Sequence, residues 1–204
     1  MKMLLKSVIA AAAIAVPSIA AASTWEIDPA HSAARFTVRH LMISNVEGAF
    51  GKVTGTVNLD DKDVSKSTIE ASIDTTTVNT NEPKRDAHLK SPDFFEVEKY
   101  PAMTFKSTSV KANGKDKFKV VGDLTLHGVT KPVTLDVLSP AKETKDPWGN
   151  LRRGVSATTK LSRKEYGLTW NQALEAGGVA VSDEVAVVLD LSLIKKDAAP
   201  APAK

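Results

Sequence analysis

The chain has 204 residues, 27 of them Lys or Arg and 24 Asp or Glu, and no cysteine. That length suits one domain. The lack of cysteine excludes disulfides and thiolate metal sites, and the near balance of charge without a basic block argues against nucleic acid as a partner. Aromatic residues make up only 5 % and the strand faces read as outward are charged, at Arg35, Arg39, Lys106, Lys119 and Asp123, which excludes the lipid-facing girdles of a membrane barrel.

Residues 1–22 read as a secretory signal peptide. Lys2 and Lys6 precede an apolar run from Val8 to Val16, and Ala20-Ala21-Ala22 offers a small-residue cleavage site before Ser23. Cleavage after Ala20 and an uncleaved anchor are the alternatives; the apolar run falls short of the ~20 residues that span a bilayer. Export to the periplasm is therefore expected. Without Lys2 and Lys6 the mature chain keeps 25 basic against 24 acidic residues, so its charge is close to neutral. The domain is expected over residues 23–196, and residues 197–204, rich in Ala and Pro, read as a disordered tail.

Strand signals follow in order. Apolar and polar residues alternate over 34–39, 53–59, 69–73, 103–107, 118–126, 133–137, 155–161 and 185–193, with Val, Thr, Ile and Phe prominent. Turn signals separate them: Asp60-Asp61, Asn113-Gly114, His127-Gly128, residues 146–150 and Gly177-Gly178. About eight strands at this spacing predict a mainly β protein, a sandwich or a barrel. The apolar face carries Phe36 and Val38, then Phe50 and Ile73, then Phe105, Leu124, Leu126, Val133 and Leu135, with Gly55, Ala71 and Gly122 between them. A barrel of eight strands can fill its lumen with such side chains or hold one ligand there, and composition does not choose. The pair Gly51 and Gly55 reads as a bulge and a close strand approach. Pro132 is expected to begin the strand returning from the His127-Gly128 turn.

One segment departs from this rhythm. TNEPKRDAHLKSPDFF, residues 80–95, predicts a short helix near 81–91 that Thr80 or Asn81 caps, Pro83 opens and Pro92 stops. Arg85, His88 and Leu89 fall on one face, and Asp86 and Lys90 can pair at i, i+4. Two readings apply. The cluster is a lid whose Leu89, Phe94 and Phe95 plug a barrel end, or Arg85 and His88 form a polar site for a ligand head group or an acid/base pair. The absence of a nearby nucleophile or carboxylate pair favours the lid.

The histidines, His31, His40, His88 and His127, are scattered and show no metal-ligand spacing, so no cofactor or metal is expected. In residues 162–178, Tyr166, Leu168 and Trp170 alternate, as a flap over a cavity mouth, a dimer contact or a plainly packed loop would have them. Trp148, in a Pro-Trp-Gly turn, is either local turn packing or a membrane-touching tip.

Several stretches together resemble one family: Arg39-His40-Leu41; Asn45 to Phe50 with Gly55; Val78-Asn79-Thr80; Arg85 to Phe95; Tyr100-Pro101; Gly122 to Val133; and Arg163 to Leu168. The chain is similar, from about Trp25 to Ile194, to the YceI-like family of bacterial periplasmic polyisoprenoid-binding proteins. That resemblance implies a lipocalin-like, extended, eight-stranded antiparallel β-barrel with one helical segment. It implies an apolar tunnel for a long-chain isoprenoid, such as a quinone precursor, or a related lipid. It implies a homodimer in many members and no catalytic residues. The tunnel-lining candidates are the apolar residues named above with Leu89, Phe94, Phe95 and Trp170, and Arg85 and His88 are the head-group candidates. A head-group-modifying enzyme using Arg85, Asp86 and His88, and a binding module without a lumen, are the competing readings.

Overall fold

A computed structural model describes residues 23–196, Ala141 and Ala176 excepted. The expected signal peptide and Ala/Pro tail lie outside the described residues.

The chain forms twelve strand segments in one continuous sheet: β1 (Ser23–Ile27), β2 (Ala33–His40), β3 (Ser44–Phe50), β4 (Val53–Leu59), β5 (Thr68–Asp74), β6 (Val78–Asn79), β7 (Ala102–Ala112), β8 (Lys117–Leu126), β9 (Val129–Leu138), β10 (Thr144–Lys145), β11 (Leu151–Ser162) and β12 (Val181–Lys195). Among the described residues one α-helix, α1 (Pro83–Lys90), lies between β6 and β7. The ring closes where β11 pairs with β12, giving an eight-stranded antiparallel barrel in the order β11-β9-β8-β7-β5-β4-β1-β12.

The remaining segments lengthen the barrel. β12 pairs with β1 over Leu193–Lys195 and then with β2 over Val181–Asp190. So β1 and β2 are two halves of one stave, interrupted by the 3-10 turn Pro29–His31. β3 and β4, joined through a bend at Gly51, make the next stave, and β5 and β6 the third, with β6 paired to Ala49 and Phe50 of β3. A strand of 15 residues such as β12 spans about 50 Å at ~3.3 Å per residue.

The turns follow their expected chemistry with three corrections. His127 (φ 51°) and Gly128 (φ 75°) make the two-residue turn between β8 and β9. Pro132 does not begin β9; it lies inside the strand, opposite Asp123. β9 meets β11 only over Asp136–Leu138, so Pro132 stands where the other edge of β9 carries no ladder and its missing N–H removes nothing from it. Helix α1 is capped by Glu82, whose carboxylate accepts from Lys84 N–H at 3.1 Å, and not by Thr80 or Asn81. Asp86 does not pair with Lys90. It turns back to accept from Thr80 N–H (2.8 Å) and Thr80 Oγ1 (2.6 Å), so the backbone entering the helix takes the carboxylate.

The barrel ends differ. One carries α1, the β2–β3 and β8–β9 turns and the 163–180 segment. The other carries residues 60–67, 113–116 and 139–150. No described helix is long and apolar enough to cross a membrane.

Candidate functional site

The barrel is hollow. A cavity of about 730 Å³ occupies its lumen, inside the range of small-molecule sites, roughly 300–1,000 Å³. Its lining runs from His40, Leu41, Thr80 and Gln172 at the α1 end to Asp60, Asp61, Asp116 and Ser139 at the other. Between these polar rims the wall is almost wholly aliphatic and aromatic.

Two close approaches keep the lumen open. Phe36 and Gly48 face each other across β2 and β3. A β-carbon at Gly48 would overlap the Phe36 ring, so the ring lies against the wall rather than across the cavity. Phe105 does the same over Gly122 of β8, where a β-carbon would also fall 2.6 Å from Lys106 O. Gly55 likewise lets β4 and β5 approach closely, as its position suggests. Each aromatic ring covers backbone that a side chain would otherwise shield, and the space it would have filled remains cavity.

Every apolar candidate named from the sequence lines this cavity: Phe36 and Val38 from β2, Phe50 from β3, Ile73 from β5, Phe105 from β7, Leu124 and Leu126 from β8, and Val133 and Leu135 from β9. So do Leu89, Phe94, Phe95 and Trp170 at the α1 end. There the rings form two groups. Phe50 meets Phe36 and Phe95 at centroid distances of 5.6 and 5.4 Å. The His88 imidazole stands edge-on to Phe94 and Trp170, 5.0 Å from each.

Arg85 and His88 also reach the lining, each with prior commitments. Arg85 donates from Nε to Thr80 Oγ1 and from Nη2 to Thr80 O, both at 2.8 Å. His88 Nε2 bonds to Asp93 Oδ2 at 2.9 Å on the exposed side. Among the described residues no group of His, Asp or Glu is arranged to hold a metal ion.

Several lining positions escape the first reading. Val155, Ala157 and Leu161 of β11 and alternate residues of β12, Val185 to Leu193, complete the wall. Their period-two pattern is the signal that identifies them. Trp25 of β1, fully buried, closes the wall near the end away from α1. Its indole lies 5.1 Å from the Arg153 guanidinium carbon and 5.2 Å from Lys195 Nζ, and Glu143 holds both cations.

Arg163 gave no sequence signal beyond its place in the family pattern, and it organises the 163–180 segment. It is buried and donates to four carbonyls: Ser182 O (2.9 Å), Leu168 O (2.5 Å), Trp170 O (2.8 Å) and Val181 O (3.3 Å). Burial lowers its pKa from the usual guanidinium value. Those bonds seat Leu168 and Trp170 on the lumen, so this segment packs as part of the wall. Trp148, in contrast, is 80 % exposed; its turn is held by Asp146, not by the indole.

A closed antiparallel barrel with an apolar lumen between polar rims defines a hollow-barrel protein of lipocalin-like form. The chain belongs to the YceI-like domain family, which matches residues 25–193. It is 41% identical to Protein YceI of Escherichia coli O157:H7 over 151 residues, covering 73% of this chain and 78% of that one. A crystal structure of the YCEI protein of Campylobacter jejuni superposes with a TM-score of 0.66 at 29% identity, over 78% of this chain and 90% of the other. A polyisoprenoid binding domain from Saccharophagus degradans shares the fold, with a TM-score of 0.63 at 19% identity over 84% and 98% of the two chains.

Proposed function

We propose that this protein is a periplasmic carrier that holds a long-chain isoprenoid, or a related single-chain amphiphile, in its barrel lumen. The observation that carries this reading is the continuous, mostly apolar cavity of about 730 Å³ whose polar residues gather mainly at its rims. Each methylene moved from water into such a wall gains about 0.8 kcal/mol, so a long tail is held by its length rather than by specific bonds. The shared fold with the polyisoprenoid binding domain of Saccharophagus degradans supports the same chemistry. The signal-peptide pattern of residues 1–22 supports the compartment.

The head group lies, on this reading, at the α1 rim near Arg85 and His88. Arg85 is exposed and donates only part of its guanidinium to Thr80, so it offers hydrogen bonds to a polar or anionic head. The enzyme reading receives less support, since Asp86 is taken up by Thr80 and His88 by Asp93.

Organic extraction of the protein purified from its native host, followed by mass spectrometry, tests the proposal. A stoichiometric polyprenyl or other long-chain lipid is the expected result. Protein that yields no lipid, and takes up none from vesicles, defeats it.

A further inference from the structure

The turn between β2 and β3 is built from residues that its geometry disfavours. Ile43 N–H donates to His40 O at 3.1 Å, and the two central residues, Leu41 (φ 50°) and Met42 (φ 63°), both stand in the left-handed region. The paired His40 and Ser44 leave three residues in this hairpin loop, and two successive left-handed positions within it favour Asn and Gly. The β8–β9 turn of the same protein obeys that preference by placing Gly128 second. Here Leu and Met occupy both positions, and although Leu41 reaches the cavity rim, both keep exposed surface. Leu41 is 38 % exposed, Met42 49 % and Ile43 75 %. No other three consecutive described residues expose large apolar side chains. A disfavoured backbone held so as to present apolar groups to solvent marks a surface with a use.

Three observations say what covers it. The tip continues the cavity wall: Leu41 lines the lumen, and its N–H donates to Ala180 O at 2.8 Å, tying the tip to the 163–180 segment. A cation sits directly beneath it. The exposed Arg39 guanidinium donates to Met42 O (3.3 Å) and Asn45 Oδ1 (3.1 Å) and forms no ion pair with a described carboxylate. An apolar knob with a cation at its base complements hydrocarbon beneath an anionic head-group layer. The knob is also convex and only three side chains wide, far short of the ~800 Å² that each partner contributes to a standard protein interface.

We infer that the Leu41-Met42-Ile43 tip inserts into the face of an anionic bilayer and seats the α1 end of the cavity there for lipid exchange. Its purpose rests on the lipid-carrier reading; its test does not, because membrane partition is measured whether or not the lumen is filled.

The test is flotation of the mature full chain with vesicles of phosphatidylethanolamine and phosphatidylglycerol, beside vesicles of phosphatidylcholine alone. The parent floats with the anionic vesicles. The double variant M42G/I43T lowers that partition at least tenfold. Its melting temperature stays the same or rises, because glycine suits the turn, and its yield of extractable lipid is unchanged. Arg39→Gln weakens partition and removes most of its salt dependence. The inference is overturned if the parent does not float, or if M42G/I43T floats as the parent does. It is overturned equally if Trp148→Ser, at the opposite end, is the change that abolishes flotation. A parent dimer that M42G/I43T dissociates in sedimentation assigns the tip to self-association instead and also overturns it. Absence of extractable lipid, with flotation intact, counts against the carrier reading and leaves the docking surface standing.

Discussion

The ring of Phe36 occupies the space that a side chain on Gly48 would need. A β-carbon there would stand 2.8 Å from Phe36 Cε1 and from Thr80 Cγ2, and closer still to Cζ. Thr80 is itself buried and bonded to Arg85 and Asp86, so it cannot yield. Gly48→Ala is therefore expected to swing the Phe36 ring into the lumen. Overpacking of this kind costs about 1–3 kcal/mol. The melting temperature should fall by about 2–4 °C for each kcal/mol in a chain of this size, with less lipid retained. Unchanged melting and lipid content would show that the ring has room to move along the wall.

Filling the lumen from a position with space should separate capacity from stability. Ala71 of β5 lines the cavity between Gly55 of β4 and Phe105 of β7, whose ring lies over Gly122 on the side away from β5. Ala71→Phe adds apolar surface to a hollow, so thermal stability is expected to hold or rise slightly while bound lipid falls several-fold. Calorimetry and lipid quantification on one preparation check both halves. A stable variant that binds as much lipid as the parent would mean that the ligand lies elsewhere.

Arg163→Met should loosen the 163–180 segment. The change removes the guanidinium donor from four carbonyls, of which Val181 O keeps Asn171 Nδ2, at a cost of about 3 kcal/mol overall. Hydrogen exchange should quicken across 167–181, which include Leu168 and Trp170, while β7 and β8 keep their protection. Uniform exchange in both regions would assign the buried guanidinium a role confined to local packing.

The acid limb of stability has a named contributor. The Arg152 guanidinium, 2.6 Å from Asp28 Oδ2, holds the Asp28 carboxyl at about 2 and draws Asp146 below its usual range as well. Both carboxyls are lower in the folded than in the unfolded chain. Their stabilisation is complete above the unfolded value, ~3.9, and is lost as pH falls through the folded one. Arg152→Met should consequently raise the midpoint of acid unfolding and leave the neutral to alkaline limb nearly unchanged in shape. An acid midpoint that does not move would exclude this pair as the source.

Much of this architecture was readable before any coordinates. Period-two alternation identified the main staves, and it identified Leu124, Leu126, Val133 and Leu135 as inward because a strand's faces alternate by necessity. Residues 80–95 read as a short helix near 81–91 followed by two phenylalanines at a barrel end, and Phe94 and Phe95 lie there. Whether the lumen was filled or empty could not be read. That outcome depends on Phe36 meeting Gly48, and Phe105 meeting Gly122, across strands whose register is set by the whole barrel. Arg163 escaped notice for a related reason: its partners are backbone carbonyls, which carry no sequence signature. The cap of α1 was misplaced because Thr80, a good capping residue by type, is instead gripped by Asp86 and Arg85.

The tryptophans give the molecule an optical readout of its own state. Trp25 is fully buried in the lumen wall away from α1, between two cations; Trp170 lines the opposite end beside His88; Trp148 stands outside in solvent. A soluble quencher reaches Trp148 at once and Trp25 not at all. With Trp148 replaced by phenylalanine, the remaining emission comes from the two ends of the cavity. On the proposed lipid-carrier reading, its colour and decay should then change as a tail enters, without any label attached to either the lipid or the protein.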